Sequence, residues 1–193
     1  ELSYEEFVPI VRLELDPFAL YVHPESGLET IDDFINKVKE SEGELKVGGY
    51  GTGSPHHITA MQLAQSNDIE FKWVAYNSGS DAITDLIGGS LDAVMSNGSQ
   101  MVRYEDQIVM LGHTAEEPLP KFPDVPSFQD QGHDIVKYHW RGLLAKKGTP
   151  QEVIDVLVDA FTEAQNSPEW EEYLDNVGNL NGYMPQPEFE TFI

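Results

Sequence analysis

Three polar turns of this chain have the residue types to hold a small anion, and the first is the richest. Gly48-Gly49-Tyr50-Gly51-Thr52-Gly53-Ser54-Pro55-His56-His57 follows a short apolar run and opens a helix. A helix N-terminus presents backbone N–H groups and a partial positive charge, so with the Thr52 and Ser54 hydroxyls the turn can hold a carboxylate without a formal cation. An ordinary strand-to-helix turn, with glycine supplying positive φ and Ser54 as N-cap, accounts for the same residues equally well. The second turn, Tyr76-Asn77-Ser78-Gly79-Ser80-Asp81, ends the strand-like Phe71–Tyr76 stretch and leads into another helix. The third, Ser96-Asn97-Gly98-Ser99, follows Leu91–Met95 and also reads as a simple polar loop.

Other chemistries find no support in the spacing. Gly49, Gly51 and Gly53 do not form GxGxxG, and no Walker Gly-Lys-Ser/Thr is present, which sets nucleotide binding aside. His56 and His57 are adjacent and so point to different faces of a helix, and His23, His113, His133 and His139 show no ligand spacing, so no metal site is expected. There is no GxSxG elbow, and paired acids such as Asp32-Asp33, Glu116-Glu117 and Glu171-Glu172 read as solvated faces. No catalytic residue and no cofactor is expected.

The elements that position the turns alternate. Phe7–Leu15 and Phe18–Val22 read as two strands. Thr30 caps a helix over Ile31–Val38, with Phe34, Ile35 and Val38 at amphipathic spacing and Asp32 and Asp33 in its first turn. Then come a strand over Leu45–Tyr50, a helix over Pro55–Ser66 with Ile58, Met61 and Leu63 inward, a strand over Phe71–Tyr76, a helix over Asp81–Ile87 and a strand over Leu91–Met95. Strands separated by single helices predict βαβ units and a parallel sheet, with ligands beyond the carboxyl ends of the strands, where the turns fall. Residues 112–134 carry four prolines and read as a long surface connection. Ile135–Ala145 is extended, with Tyr138 and Trp140 placed to line a cleft or to join a core. Helices follow over Pro150–Ala164, capped by Thr149 and with Val153, Ile154, Leu157, Val158 and Phe161 on one face, and over Pro168–Leu174, with a terminal turn near Gln186.

Composition narrows the partners. The 193 residues, 40% hydrophobic, suffice for one domain or two small lobes. A formal charge of -23, from 34 acids against 11 bases, repels nucleic acid and anionic lipid. Arg12, Arg103 and Arg141 are the only arginines, too few for a phosphate-binding cluster. The acids are spread along the chain, as on a surface that stays hydrated in concentrated salt; a halophilic source is the preferred reading and an ordinary acidic protein its alternative. No cysteine is present, and no apolar run reaches the length of a membrane span. The start, Glu1-Leu2-Ser3-Tyr4-Glu5-Glu6, does not read as a signal peptide, which is compatible with a mature or trimmed product.

With these residues in view, the chain resembles the solute receptors of tripartite tricarboxylate transporters, also called the Bug family. Phe7-Val8-Pro9-Ile10-Val11 is similar to the family's DFxPV strand, and Val22-His23-Pro24 to its crossing into the second lobe. Gly51-Thr52-Gly53-Ser54 with His57-Ile58 is similar to the GxGSxxHL loop, Tyr76 to Gly79 to YxG, and Asp85 to Asp92 to DLLGGQVD. Phe122 to Gly132 is similar to PDVPTFxEQG, and Trp140 to Ala145 with Gly148-Thr149-Pro150 to WxGLxAPxGTP. The order and spacing of these segments carry the resemblance more than any one of them.

The resemblance implies an α/β, two-lobed type II periplasmic-binding-protein fold. Residues 1–22 and 140–193 would form a discontinuous, incomplete first lobe, and 23–139 the second. The strand, Gly-rich loop and further strand-helix stretch that open family members have no counterpart here, so the first-lobe jaw is expected to be missing. It implies an extracytoplasmic receptor, periplasmic or anchored at the surface of an archaeon or Gram-positive cell. Such a receptor captures a small carboxylate, often through ordered waters, and passes it to the membrane components of the transporter. The ligand-binding residues it implies are Gly51, Thr52, Gly53, Ser54, His57, Tyr76, Ser78, Gly79, Ser96 and Asn97. Asn77 stands where relatives tend to carry a base. Two other classes remain open: an α/β hydrolase or transferase using Ser54 and His57, and a ligand-sensing domain of the same fold.

Overall fold

The computed structural model describes residues 3–193; Glu1 and Leu2, with which the reading of the chain's start begins, lie outside the described residues. The chain divides into two compact units. One is the uninterrupted stretch Asp16–His139, and the other joins the residues up to Leu15 to Trp140–Ile193.

In the unit Asp16–His139 a five-stranded sheet runs in the order β3-β2-β4-β1-β5, with β1 at Phe7–Val22, β2 at Lys46–Tyr50, β3 at Lys72–Tyr76, β4 at Ala93–Asn97 and β5 at Val109–His113. Strands β2, β3 and β4 are parallel, but β1 runs antiparallel to both β4 and β5, so the sheet is mixed rather than parallel. Strand β4 lies between β1 and β2, which therefore run antiparallel, so β1, α1 (Ile31–Glu40) and β2 form no crossover between paired strands. Helix α1 is closed by a capping box in which Thr30 and Asp33 satisfy each other's backbone N–H groups. Its buried face, Ile31, Phe34, Ile35 and Val38, packs into a core with Phe18, Leu20, Leu63, Met95, Leu111 and Phe128. Burying each such side chain stabilises the fold by about 1.5–3 kcal/mol.

Several expectations need correction. The two N-terminal strands are one, because Pro17 falls between two ladders: Arg12–Leu15 pair with β7 and Phe18–Val22 with β4, so the missing proline N–H removes no ladder bond. Residues 112–134 are not merely a surface connection, since Thr114, Ala115, Leu119, Ser127 and Phe128 are buried. Gln131 ties this stretch to the core by accepting from the Ile31 N–H and donating to the Leu111 carbonyl. In α2 (Pro55–Ser66) Ile58 does not face inward but is 46% exposed; the buried face is His56, Thr59, Ala60, Leu63 and Ala64. Helix α3 (Gly79–Ile87) begins two residues earlier than expected, and a short α4 (Gln100–Tyr104) follows the third turn.

The other unit holds β6 (Tyr138–Lys146) and β7 (Leu180–Met184), both paired to β1. Helices α5 (Gln151–Ala164), α6 (Pro168–Val177) and α7 (Gln186–Phe192) complete it. Ile10, Val11, Leu13 and Ile154 form its core, with Leu157, Val158 and Phe161 packed against them. Val153 leaves this face and is exposed. Thr149 does not cap α5; its hydroxyl donates to the Lys146 carbonyl and Pro150 occupies the cap position. The side chain of Trp140 belongs to an aromatic group, edge-on to Phe189 with ring centres 5.3 Å apart. Strand β7, with Gly182 at its centre, was not expected, and α6 runs three residues beyond its expected end.

Candidate binding site

The three turns leave the carboxyl ends of β2, β3 and β4, which are neighbours in the order β3-β2-β4. The first lies between the other two. Gly51 and Gly53 have φ of 48° and 78°, a conformation open to glycine and strained for other residues. The Gly51 N–H donates to the Tyr76 carbonyl at 2.9 Å, which joins the first turn to the second. Ser54 caps α2 by accepting from the His57 N–H at 3.2 Å, and its hydroxyl donates to the Tyr50 carbonyl. The Gly53 N–H donates to His57 Nδ1 at 3.1 Å, and the His57 ring lies on Trp73 with centres 4.8 Å apart. His57 is therefore a brace for the loop. Thr52 is exposed at its tip.

In the second turn Ser78 caps α3, accepting from the Asp81 N–H at 3.1 Å. Gly79 lies against β4: a Cβ there would stand 2.5 Å from Ser96 Oγ. The Tyr76 hydroxyl donates to Asp85 at 2.7 Å; desolvation, with that bond and the Asp85 charge, pushes its pKa up to about 12. Tyr76 thus remains a neutral phenol engaged with α3. The third turn brings Ser96, wholly buried, and Asn97 to the same edge. Ser96 Oγ and Asn97 Nδ2 are buried polar atoms without a hydrogen-bond partner among the described residues.

His56 is the residue that sequence reasoning missed. It is 6% exposed, and its Nε2 lies 2.9 Å from Asn97 Oδ1, joining α2 to the end of β4. Since Oδ1 can only accept, Nε2 carries the proton and the Asn97 amide nitrogen is left as a donor. Burial, reinforced by His139 and opposed by the bond to Asn97, lowers the His56 pKa and favours the neutral ring. A signal for this was present: His56, Thr59, Ala60, Leu63 and Ala64 fall at i, i+3, i+4, i+7 and i+8, the buried stripe of a helix.

The donors gathered here are neutral: helix-end amides, serine hydroxyls and the Asn97 amide. The helices differ in how far they favour an added negative charge. Asp32 and Asp33 occupy the first turn of α1, Asp81 that of α3, Glu152 that of α5, Glu169 and Glu171 that of α6, and Glu188 that of α7, whereas the short α4 and the longer α2 have no acid there. The positive end of α2 is left for something else. Among the described residues no group of His, Asp or Glu could hold a metal ion, and no helix is long and apolar enough to cross a membrane.

The chain belongs to the family described as tripartite tricarboxylate transporter family receptor, which matches residues 2–193. It is 28% identical over 184 residues to the UPF0065 protein in the gbd 5′ region of Cupriavidus necator, covering 95% of this chain and 56% of that protein. The crystal structure of a TctC solute binding protein from Polaromonas, without ligand, is similar with a TM-score of 0.79 at 26% identity, covering 100% of this chain and 67% of that one. MatC from Rhodopseudomonas palustris with bound malate shares the fold, with a TM-score of 0.79 at 23% identity, covering 90% of this chain and 60% of that one. The chain spans about half the length of the curated relatives it matches. Family and fold are those of substrate-binding receptors, not of enzymes.

Proposed function

We propose that this chain belongs to an extracytoplasmic receptor that captures a small carboxylate and delivers it to the membrane components of a tripartite tricarboxylate-type transporter. The stretch Asp16–His139 is read as its second lobe, and the residues up to Leu15 with Trp140–Ile193 as part of its first, a break earlier in β1 than the one after residue 22 that the resemblance implies. One jaw of the site is then the edge formed by Gly51 to Ser54, Tyr76 to Gly79, and Ser96 with Asn97. The observation that carries this reading is the acid-free N-terminus of α2 beside the unpartnered Asn97 Nδ2, in a chain where acids outnumber bases three to one. A carboxylate supplies the acceptor that Asn97 Nδ2 lacks and adds one at the α2 N-terminus, where Ser54 takes only the His57 N–H. The malate held by MatC is an example of such a ligand in the same fold. His57 braces the loop, and the Tyr76 hydroxyl supports α3 rather than the ligand.

The hydrolase alternative loses its footing at Ser54, whose proton goes to the Tyr50 carbonyl and whose oxygen caps α2, so no Ser54–His57 nucleophile–base pair is formed. An even acidic surface supports a halophilic source, in either an archaeal or a bacterial setting. The test is a thermal-shift series with mono-, di- and tricarboxylates in low and molar salt. A ligand at a hundred times its Kd stabilises the native state by about 2.7 kcal/mol and raises the midpoint. Failure of every carboxylate to move the midpoint of the full-length protein sinks the proposal.

A further inference from the structure

The third turn is held in place by an acid that does not reach the candidate site. Asp16, in β1, has none of its surface exposed. Its Oδ2 accepts from Ser99 Oγ at 3.0 Å, and its Oδ1 from the Ser99 N–H at 3.4 Å. The neighbouring Pro17 carbonyl accepts from the Gly98 N–H at 2.7 Å, and the Tyr21 hydroxyl lies 2.8 and 3.0 Å from the carbonyls of Asn97 and Gly98. Ser99 is the cap residue of α4 yet makes no side-chain cap bond, because its hydroxyl is turned to Asp16. Every residue of the turn from Asn97 to Ser99 is thus bonded to β1.

We infer that Asp16 is the positioning residue of the Asn97 arm: by holding Ser99 it fixes the turn, and with it the direction in which Asn97 points its free amide nitrogen. The inference rests on reading this edge as a carboxylate site. The chain of cause is short. Without the Asp16 carboxylate, the Ser99 N–H and hydroxyl are left seeking partners in a largely buried place, and the turn relaxes toward others. Asn97 then shifts relative to His56, and the amide that a carboxylate would meet is no longer preset.

The experiment compares D16A, D16N and S99A with the unmodified full-length protein, using malate and adipate as probes and the His56 ring proton, observed by NMR without ligand, as a second readout. D16A and S99A are expected to weaken dicarboxylate binding about tenfold and to shift or broaden the His56 signal. D16N keeps an oxygen for the Ser99 N–H and can donate to the Ser99 hydroxyl, so it should restore most of the affinity and the ring signal. Should D16A and S99A lower the melting midpoint while leaving affinity and ring signal unchanged, Asp16 is only a structural acid and the inference is overturned. If the unmodified protein takes neither dicarboxylate, the carboxylate reading fails separately. A His56 signal that moves in D16A still upholds the hold of Asp16 on the turn, and one that does not move overturns that as well.

Discussion

His56 Nε2 and Asn97 Oδ1 stand 2.9 Å apart, so the second residue of α2 fixes the side chain that ends β4. The bond removes the one acceptor from the Asn97 amide and leaves its donor. Replacing Asn97 by Asp puts a second acceptor where the donor stood and adds a negative charge beside the site. N97D is expected to reduce carboxylate binding more than N97A, which removes the acceptor of the His56 bond together with a hydrogen bond to a charged ligand, the latter about 1.5–3 kcal/mol. Isothermal titration with the best ligand from the thermal series ranks the two.

Gly49 has no room for a side chain: a Cβ would lie 2.4 Å from Trp73 and 2.7 Å from the Met95 carbonyl. The second of these is backbone in the neighbouring strand and cannot rotate away. G49A is expected to lower stability by about 1–3 kcal/mol, read as a shift in the urea midpoint. At Gly53 a Cβ would meet nothing but φ is positive, so G53A should lose about 1–2 kcal/mol from strain alone.

Stability should rise with pH below about 7. Burial lowers the pKa values of His56 and His113 below the ordinary 6.5. His113 accepts from the Ala115 N–H through Nδ1, a bond that only the neutral ring can make. As pH falls, the unfolded chain takes up these protons first, so the contribution is complete above about 6.5 and is lost as pH falls through the lower folded values. Urea titrations at several pH values would show a midpoint that climbs to about pH 7; a midpoint flat across this window contradicts the assignment.

Carboxylate binding should strengthen with salt. The donors at the site are neutral and act over one bond length, while the -23 charge of the chain opposes an incoming anion at long range. The Debye length falls from about 10 Å at 0.1 M to about 3 Å at 1 M, which screens the second effect and leaves the first. A Kd for a dicarboxylate that rises over that range would mean that a cation, not amide and hydroxyl groups, dominates the site.

Much of this architecture was legible because local rules and tertiary packing agreed. Thr30 and Asp33 announce α1, and the apolar runs before Gly51, Asn77 and Asn97 announce β2, β3 and β4. The direction of β1 was not legible, because strand–helix–strand spacing looks the same whether the first strand joins its successor or lies two places away. Nor was the use of Pro17, harmless only because two ladders meet at that residue. At the site the turns could be named, but adjacent histidines cannot be told apart by type. The small residues Thr59 and Ala60, rather than the bulky Ile58, mark which of the two is drawn inward. Asp16 lay hidden among 34 acids, since only the fold sets one of them beside Ser99.

The division of the chain also sets the order in which it can assemble. The stretch 16–139 is continuous, whereas the other unit depends on pairings such as Leu15 with Leu180, whose partners lie at opposite ends of the sequence. Closing so long a loop directly is slow and entropically unfavourable. Once the continuous stretch has folded, the two flanking segments are no longer ends of a free coil but are tethered to a formed body. On this ground the half of β1 that follows Pro17 is expected to pair before the half that precedes it.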